Sequence, residues 1–179
     1  MNNNIIIEGP DATGKTWLCD WLTKNYNFDI QKIKYSVENT VDFFNTKLNQ
    51  KNVAFDRFHL SQFLFDILYN RERLLNSDDM ESLLLKIIDT NTIFIIFTSS
   101  DSSILKERLI ERKEFDYLQE INKQLDLFNL YINYLKYINY QNFYVCDIAD
   151  NDGYNKLYNW LKLKLGGSAS GESESSIDS

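Results

Sequence analysis

Glu8-Gly9-Pro10-Asp11-Ala12-Thr13-Gly14-Lys15-Thr16 is the stretch of this chain whose residue types and spacing are best suited to chemistry. Gly9 and Gly14 are the only glycines before Gly153, and the single proline, Pro10, follows the first of them. The spacing is G-x-x-x-x-G-K-T, with an apolar run (Ile5-Ile6-Ile7) before it and a helical pattern (Trp17 to Leu22) after it. Glycines let the backbone turn so that successive N–H groups face one anion, and the positive end of the following helix adds to that field. Gly9, Asp11, Ala12, Thr13, Gly14, Lys15, Thr16 and Trp17 are therefore expected to hold ATP. Lys15 is expected to reach the terminal phosphates, and the Thr16 hydroxyl to help hold Mg²⁺.

A second group lies at Asp56-Arg57, at the end of a short apolar segment. A carboxylate at a strand tip beside a phosphate loop is suited to holding Mg²⁺ directly or through water. Arginine is scarce, at positions 57, 71, 73, 108 and 112 against fourteen lysines. Arg108 and Arg112 share a helix face, as i,i+4 neighbours, and are expected to close over a transferring phosphoryl group as catalytic cations. The competing expectation is a solvated face paired to Glu107 and Glu111. Arg71 and Arg73 flank Glu72 on opposite helix faces, so at most one of them faces a site. His59, the only histidine, is expected to serve packing or base contact rather than proton transfer. Trp17, Trp21 and Phe28 are expected in the core.

These groups need a scaffold. Residues 3–8, 28–35, 52–56, 92–97 and 142–146 read as strands. Residues 16–26, 39–49, 59–70, 77–89, 101–112, 115–139 and 151–164 read as helices, with Ser77 and either Asp101 or Ser102 as N-caps. Strands alternating with helices, and apolar along their whole length, predict a parallel sheet covered on both faces in one α/β domain over residues 1–165. Leu118, Ile121, Leu125, Phe128, Ile132 and Leu135 repeat every three or four residues. That stripe serves either packing within the domain or a homodimer seam. Residues 166–179 carry no apolar pattern and read as a flexible Gly/Ser/Glu tail or an appended linker.

The chain has 179 residues, 44% of them hydrophobic, enough for one packed core. Its formal charge of −7 argues against a nucleic-acid-coating surface. Cys19 and Cys146 form no metal or disulfide pattern, and neither a signal sequence nor a spanning segment is expected. A cytoplasmic location, with nucleotides as partners and no membrane, follows as the expectation.

At Glu8 through Thr16, and again at Asp56-Arg57-Phe58-His59-Leu60-Ser61, the chain resembles the thymidylate kinase family, especially its small virus-encoded members. The resemblance implies a five-stranded parallel sheet in order 2-3-1-4-5, three layers, and transfer from ATP to a deoxynucleoside monophosphate, dTMP. If virus-encoded, the protein would act in the host cytoplasm. The resemblance also implies that Asp11 accepts from the acceptor's 3′-hydroxyl and that Arg57 clamps its phosphate. It further implies that Phe58 or Phe63 lines the base pocket, with Arg108 and Arg112 in a lid. Ala12 stands where the family has glycine, and Lys34-Tyr35-Ser36 replaces its arginine-proline segment. Two alternatives remain open. One is a deoxynucleoside kinase, whose base would have to come from Glu38. The other is a non-catalytic ATP-binding switch.

Overall fold

The structure is a computed structural model and describes residues 3–166. Five parallel strands, β1 (Ile5–Glu8), β2 (Asp29–Lys32), β3 (Val53–Asp56), β4 (Ile93–Thr98) and β5 (Phe143–Asp147), pair in the order β2-β3-β1-β4-β5. Seven helices connect and cover them: α1 (Lys15–Tyr26), α2 (Val41–Leu48), α3 (His59–Leu68), α4 (Ser77–Asp89), α5 (Ser102–Glu111), α6 (Ile121–Tyr137) and α7 (Gly153–Leu165). The expected α/β class and strand order are both present. The expectation for residues 167–179 lies outside the described residues.

Alternation along β1 sends its side chains to two cores. Ile5 and Ile7 pack with Leu18 and Leu22 of α1, Leu105 and Leu109 of α5, and Leu157 and Leu161 of α7. Ile6 faces the other way, with Phe44 of α2, Leu60 of α3, Leu83 of α4 and Phe128 of α6. All four β1 residues are fully buried, as expected for a strand sandwiched between helical layers. The stripe on α6 is consumed by these cores: Ile121, Leu125, Phe128, Ile132 and Leu135 are all buried within the chain. That face therefore cannot also be a homodimer seam.

Several boundaries differ from expectation for local reasons. The stretch 115–139 is not one helix. A 3-10 turn at Phe115–Tyr117 precedes α6, because Phe115 and Tyr117 are exposed and offer the core nothing that would hold a longer helix. The second strand is shortened to Asp29–Lys32, and residues 33–35 leave the sheet edge to line a cleft. Asn70, with φ of 50°, follows the end of α3, so Arg71 and Arg73 lie beyond the helix. The N-cap of α4 is Asn76 rather than Ser77, because Asn76 and Asp79 exchange side-chain and backbone hydrogen bonds. Asp101 caps α5 by accepting from the Ser103 N–H. Among the described residues, no helix is long and apolar enough to cross a membrane.

Candidate active site

Register brings the two chemical segments together. Ile7 of β1 pairs with Asp56 of β3, and Lys32 of β2 pairs with Asp56 from the other side. The loop from Gly9 to Gly14 and the pair Asp56-Arg57 therefore emerge side by side at the carboxyl edge of the sheet, where open α/β folds place ligands. The Arg57 N–H continues the ladder by donating to the Ile7 carbonyl at 2.9 Å.

The loop's glycines are required by space. Gly9 has φ of 138°, and a Cβ there would lie 2.6 Å from the Phe97 carbonyl oxygen of β4. Gly14 has φ of 91°, and a Cβ there would collide with the Tyr154 hydroxyl. Ala12 is also left-handed, with φ of 62°, a conformation that costs a residue bearing a Cβ about 1 kcal/mol. The loop is braced on several sides. Thr13 Oγ donates to the Pro10 carbonyl at 2.9 Å, and the Tyr154 hydroxyl of α7 donates to the Thr13 carbonyl at 2.9 Å.

Lys15 is buried at the base of the loop. Its Nζ donates to the carbonyls of Gly9 at 2.9 Å and Pro10 at 2.6 Å. Burial, reinforced by the nearby Arg57 charge, lowers its pKa to about 7, against the pull of Asp11, Asp56 and Glu8. An anion entering the loop favours the charged ammonium and would draw it away from the carbonyls.

Glu8 is fully buried and receives the Phe58 N–H at 2.9 Å, the Ser61 N–H at 3.1 Å and the Ser61 hydroxyl. Burial raises its pKa, and the bonds from Ser61 and the Arg57 charge oppose the rise. Its role is to fix the start of α3 against the phosphate loop. That anchor holds Arg57 in a left-handed backbone with φ of 70°. The Arg57 guanidinium pairs with Asp11 Oδ1, bonds Ser61 Oγ at 3.2 Å and lies 4.9 Å from the centre of the Phe65 ring. Asp11 is held in turn by Gln124 of α6, a residue that sequence reasoning did not single out.

Two adjoining clefts meet at Asp11, Lys32 and Arg57. The first, of about 390 Å³, is lined by residues 11–17 together with Asp20, Asp56, Arg112 and Glu114. It holds the whole expected loop set apart from Gly9, and both oxygens expected to hold the metal, those of Thr16 and Asp56. Trp17 is not in the core. It is 51% exposed, with Tyr154 and Tyr158 ring centres 5.1 Å away, and it forms part of the cleft wall. The second cleft, of about 510 Å³, is bounded by Tyr35, Phe65, Tyr69 and Tyr117, and by Lys34, Arg71 and Asp116 in addition to the shared residues. Arg71 stacks over Tyr35 at 4.3 Å and Tyr69 at 4.8 Å, so it is the member of the Arg71/Arg73 pair that faces a cleft.

Not every expected residue comes together. Phe63 lies outside both clefts, in a groove with Met80 and Tyr134, because two residues on α3 turn the side chain through more than half a revolution. Phe65 lines the second cleft instead. Phe58 is almost fully buried, packed on Phe44 and Phe55, and reaches only a small hollow beside Arg57. Arg108 does not line a cleft. It donates to the Ala12 carbonyl at 3.1 Å and supports the loop from outside, which leaves Arg112, at the C-cap of α5, as the exposed arginine that lines the first cleft. His59 is fully buried among Phe44, Phe58 and Phe94, and neither ring nitrogen has a partner among the described residues. Burial lowers its pKa to about 3, so it is neutral and has no access to a reacting proton. Glu38 does not line either cleft.

Sequence profiles of known families give no match to this chain, and neither do curated proteins. Solved structures do match. The YorR protein from Bacillus subtilis, solved in complex with phosphorylated GDP, is 21% identical and superposes with a TM-score of 0.71 over 93% of this chain and 100% of its own. Deoxyadenosine kinase from M. mycoides, with the products dCMP and a flexible dCDP bound, is 18% identical and gives 0.51 over 90% and 98%. The same enzyme with bound dATP gives 0.51 at 18% identity, over 89% and 99%. Likeness at these identities is a likeness of fold. The chain has the α/β P-loop kinase-like fold, with its phosphate loop, strand-tip carboxylate and paired clefts at one edge of the sheet.

Proposed function

We propose that this protein is a nucleoside-monophosphate kinase that transfers the terminal phosphoryl group of ATP to a deoxynucleoside monophosphate. The assignment to dTMP follows the resemblance to thymidylate kinases. The observation that carries the proposal is the chemistry of the second cleft. Its aromatic walls suit a base, and Lys32, Lys34, Arg57 and Arg71 give it four cations against the two carboxylates of Asp11 and Asp116. Asp11, the carboxylate nearest the phosphate loop, is already tied to Arg57 and Gln124. A nucleoside hydroxyl needs a free carboxylate to take its proton. A monophosphate oxygen is already ionised and needs only to be held and aimed. The cleft supplies four holding cations, and the carboxylate beside the phosphate loop is already engaged; Asp116, next to Tyr117, is the other carboxylate of the lining.

In this scheme the loop N–H groups and Lys15 bind the donor's phosphates, and Lys15 stabilises charge as it spreads over the transferring group. Arg57 holds the acceptor phosphate with its planar fork, and Arg112 closes from the lid segment. Thr16 and Asp56 offer hard oxygen donors in the first cleft, which fits Mg²⁺, and such an ion would neutralise phosphate charge when bound. Trp17 gives the donor an aromatic wall. Because Arg57 acts as a fork, Arg57→Lys is expected to lower kcat/KM for the monophosphate by roughly tenfold or more while leaving ATP binding intact. Wild-type kcat/KM in Arg57→Lys would remove the acceptor-clamp role.

A further inference from the structure

Gln124 lies on the apolar face of α6 between Ile121 and Phe128 and is fully buried. An amide there is costly unless both its ends are satisfied. Both ends go to one residue 113 positions away: Oε1 accepts from the Asp11 N–H at 3.0 Å, and Nε2 donates to Asp11 Oδ2 at 3.1 Å. The other Asp11 oxygen pairs with Arg57. The three side chains therefore form a line, Gln124 to Asp11 to Arg57, that runs from the root of the lid into the junction of the two clefts. The loop N–H that Gln124 occupies is not free to bind phosphate, so this contact serves the Asp11 side chain rather than the donor's anion site.

We propose that Gln124 is a positioning residue, which fixes the Asp11 carboxylate and through it the direction of the Arg57 fork toward an acceptor phosphate. The proposal rests on the monophosphate-kinase reading. It assigns Gln124 an effect on the acceptor and little effect on ATP. With the amide gone, Asp11 is free to rotate, and its second oxygen can pull the guanidinium out of line.

Two variants test this, each with both KM values, kcat and a thermal melt. Gln124→Leu is expected to raise KM for dTMP by roughly tenfold or more, with KM for ATP within about twofold of wild type. Gln124→Glu sets a second carboxylate against Asp11 and is expected to be as impaired at neutral pH. Once protonated, however, its O–H donates as the amide did. The charged and titratable groups around it are Asp11 and Arg57 from the loop and strand tip, Tyr69 from the end of α3, and Tyr117, Glu120 and Lys123 from the lid root. Burial beside a carboxylate raises a glutamate's pKa, so acidification from about pH 8 to about pH 6 should restore dTMP turnover in Gln124→Glu relative to wild type. Should Gln124→Leu fail to fold, the pH profile of Gln124→Glu decides alone. Wild-type dTMP kinetics in both variants, or parallel rises of both KM values with no recovery in acid, would overturn the proposal. A wild-type enzyme that phosphorylates no monophosphate overturns the parent reading, and this inference with it, and that result is read before any variant is made.

Discussion

Acidifying the protein from about pH 7.5 to about pH 5 should cost stability at His59, and replacing that residue should remove its share of the change, about 2 kcal/mol. His59 is the only histidine and is sealed among phenylalanine rings, with no partner for either nitrogen among the described residues. Its pKa falls from 6.5 to about 3 on burial. The unfolded chain therefore takes up a proton below pH 6.5 that the native chain refuses, and stability falls as pH falls through that window. About pH 5 lies roughly one and a half pH units below the unfolded histidine's pKa, which is worth about 2 kcal/mol, a sizeable part of a typical domain's total. Glu8 works in the opposite direction, since its raised pKa makes the native state the better proton acceptor. Comparing wild type with His59→Leu cancels that contribution. Urea denaturation of both proteins at the two pH values should show about 2 kcal/mol more acid loss in the wild type. Equal losses would mean that His59 is reached by protons in the native state, and the case against it as a proton-transfer group would fail.

Other outcomes follow from the phosphate loop and lid. Lys15→Met should remain folded and lose at least about a hundredfold in kcat, because its charge is needed as the transition state forms; unchanged turnover would refute its role. Gly9→Ala should lower stability by about 2 to 5 kcal/mol in denaturant melts, from a left-handed backbone and a Cβ 2.6 Å from the Phe97 carbonyl oxygen, whereas a loss under about 1 kcal/mol would contradict the loop geometry. Arg112→Ala should lower kcat on the order of a hundredfold with little change in KM, whereas Arg108→Ala should act by loosening the loop at Ala12 and so raise KM for ATP. Steady-state kinetics of the two variants separate these effects, and identical profiles would refute the division.

The parts of the molecule legible in its sequence are those governed by local rules. The buried strands Ile5–Glu8 and Ile93–Thr98 are continuous apolar runs, and the phosphate loop follows from two glycines and a lysine at a spacing few other structures require. Asp56 and Arg57 gained meaning only beside that loop, and the register of β1 with β3 supplies the adjacency. What was illegible depended on facing. Phe63 and Phe65 are two residues apart and equally aromatic, and only the rotation of α3 decides which meets Arg57. Arg108 and Arg112 share a helix face, yet one supports the loop from behind and the other reaches the cleft. Trp17 has core composition but half-exposed placement, because it stands on Tyr154 and Tyr158 rather than beneath them. Gln124 did leave a signal, a polar residue inside an otherwise apolar stripe, but its partner lies far away in sequence and no spacing pattern points to it.

The central claim concerns the acceptor, and a single comparison tests it. Purified protein with labelled ATP and Mg²⁺ is presented separately with dTMP, the other deoxynucleoside monophosphates and the corresponding nucleosides, and kcat/KM is measured for each. A cleft whose cations outnumber its carboxylates, with Asp11 already tied to Arg57 and Gln124, predicts that a monophosphate, dTMP first, is phosphorylated on the order of a hundredfold or more faster than its nucleoside. Faster turnover of thymidine or any other nucleoside than of its monophosphate would contradict the account and assign the protein to nucleoside phosphorylation.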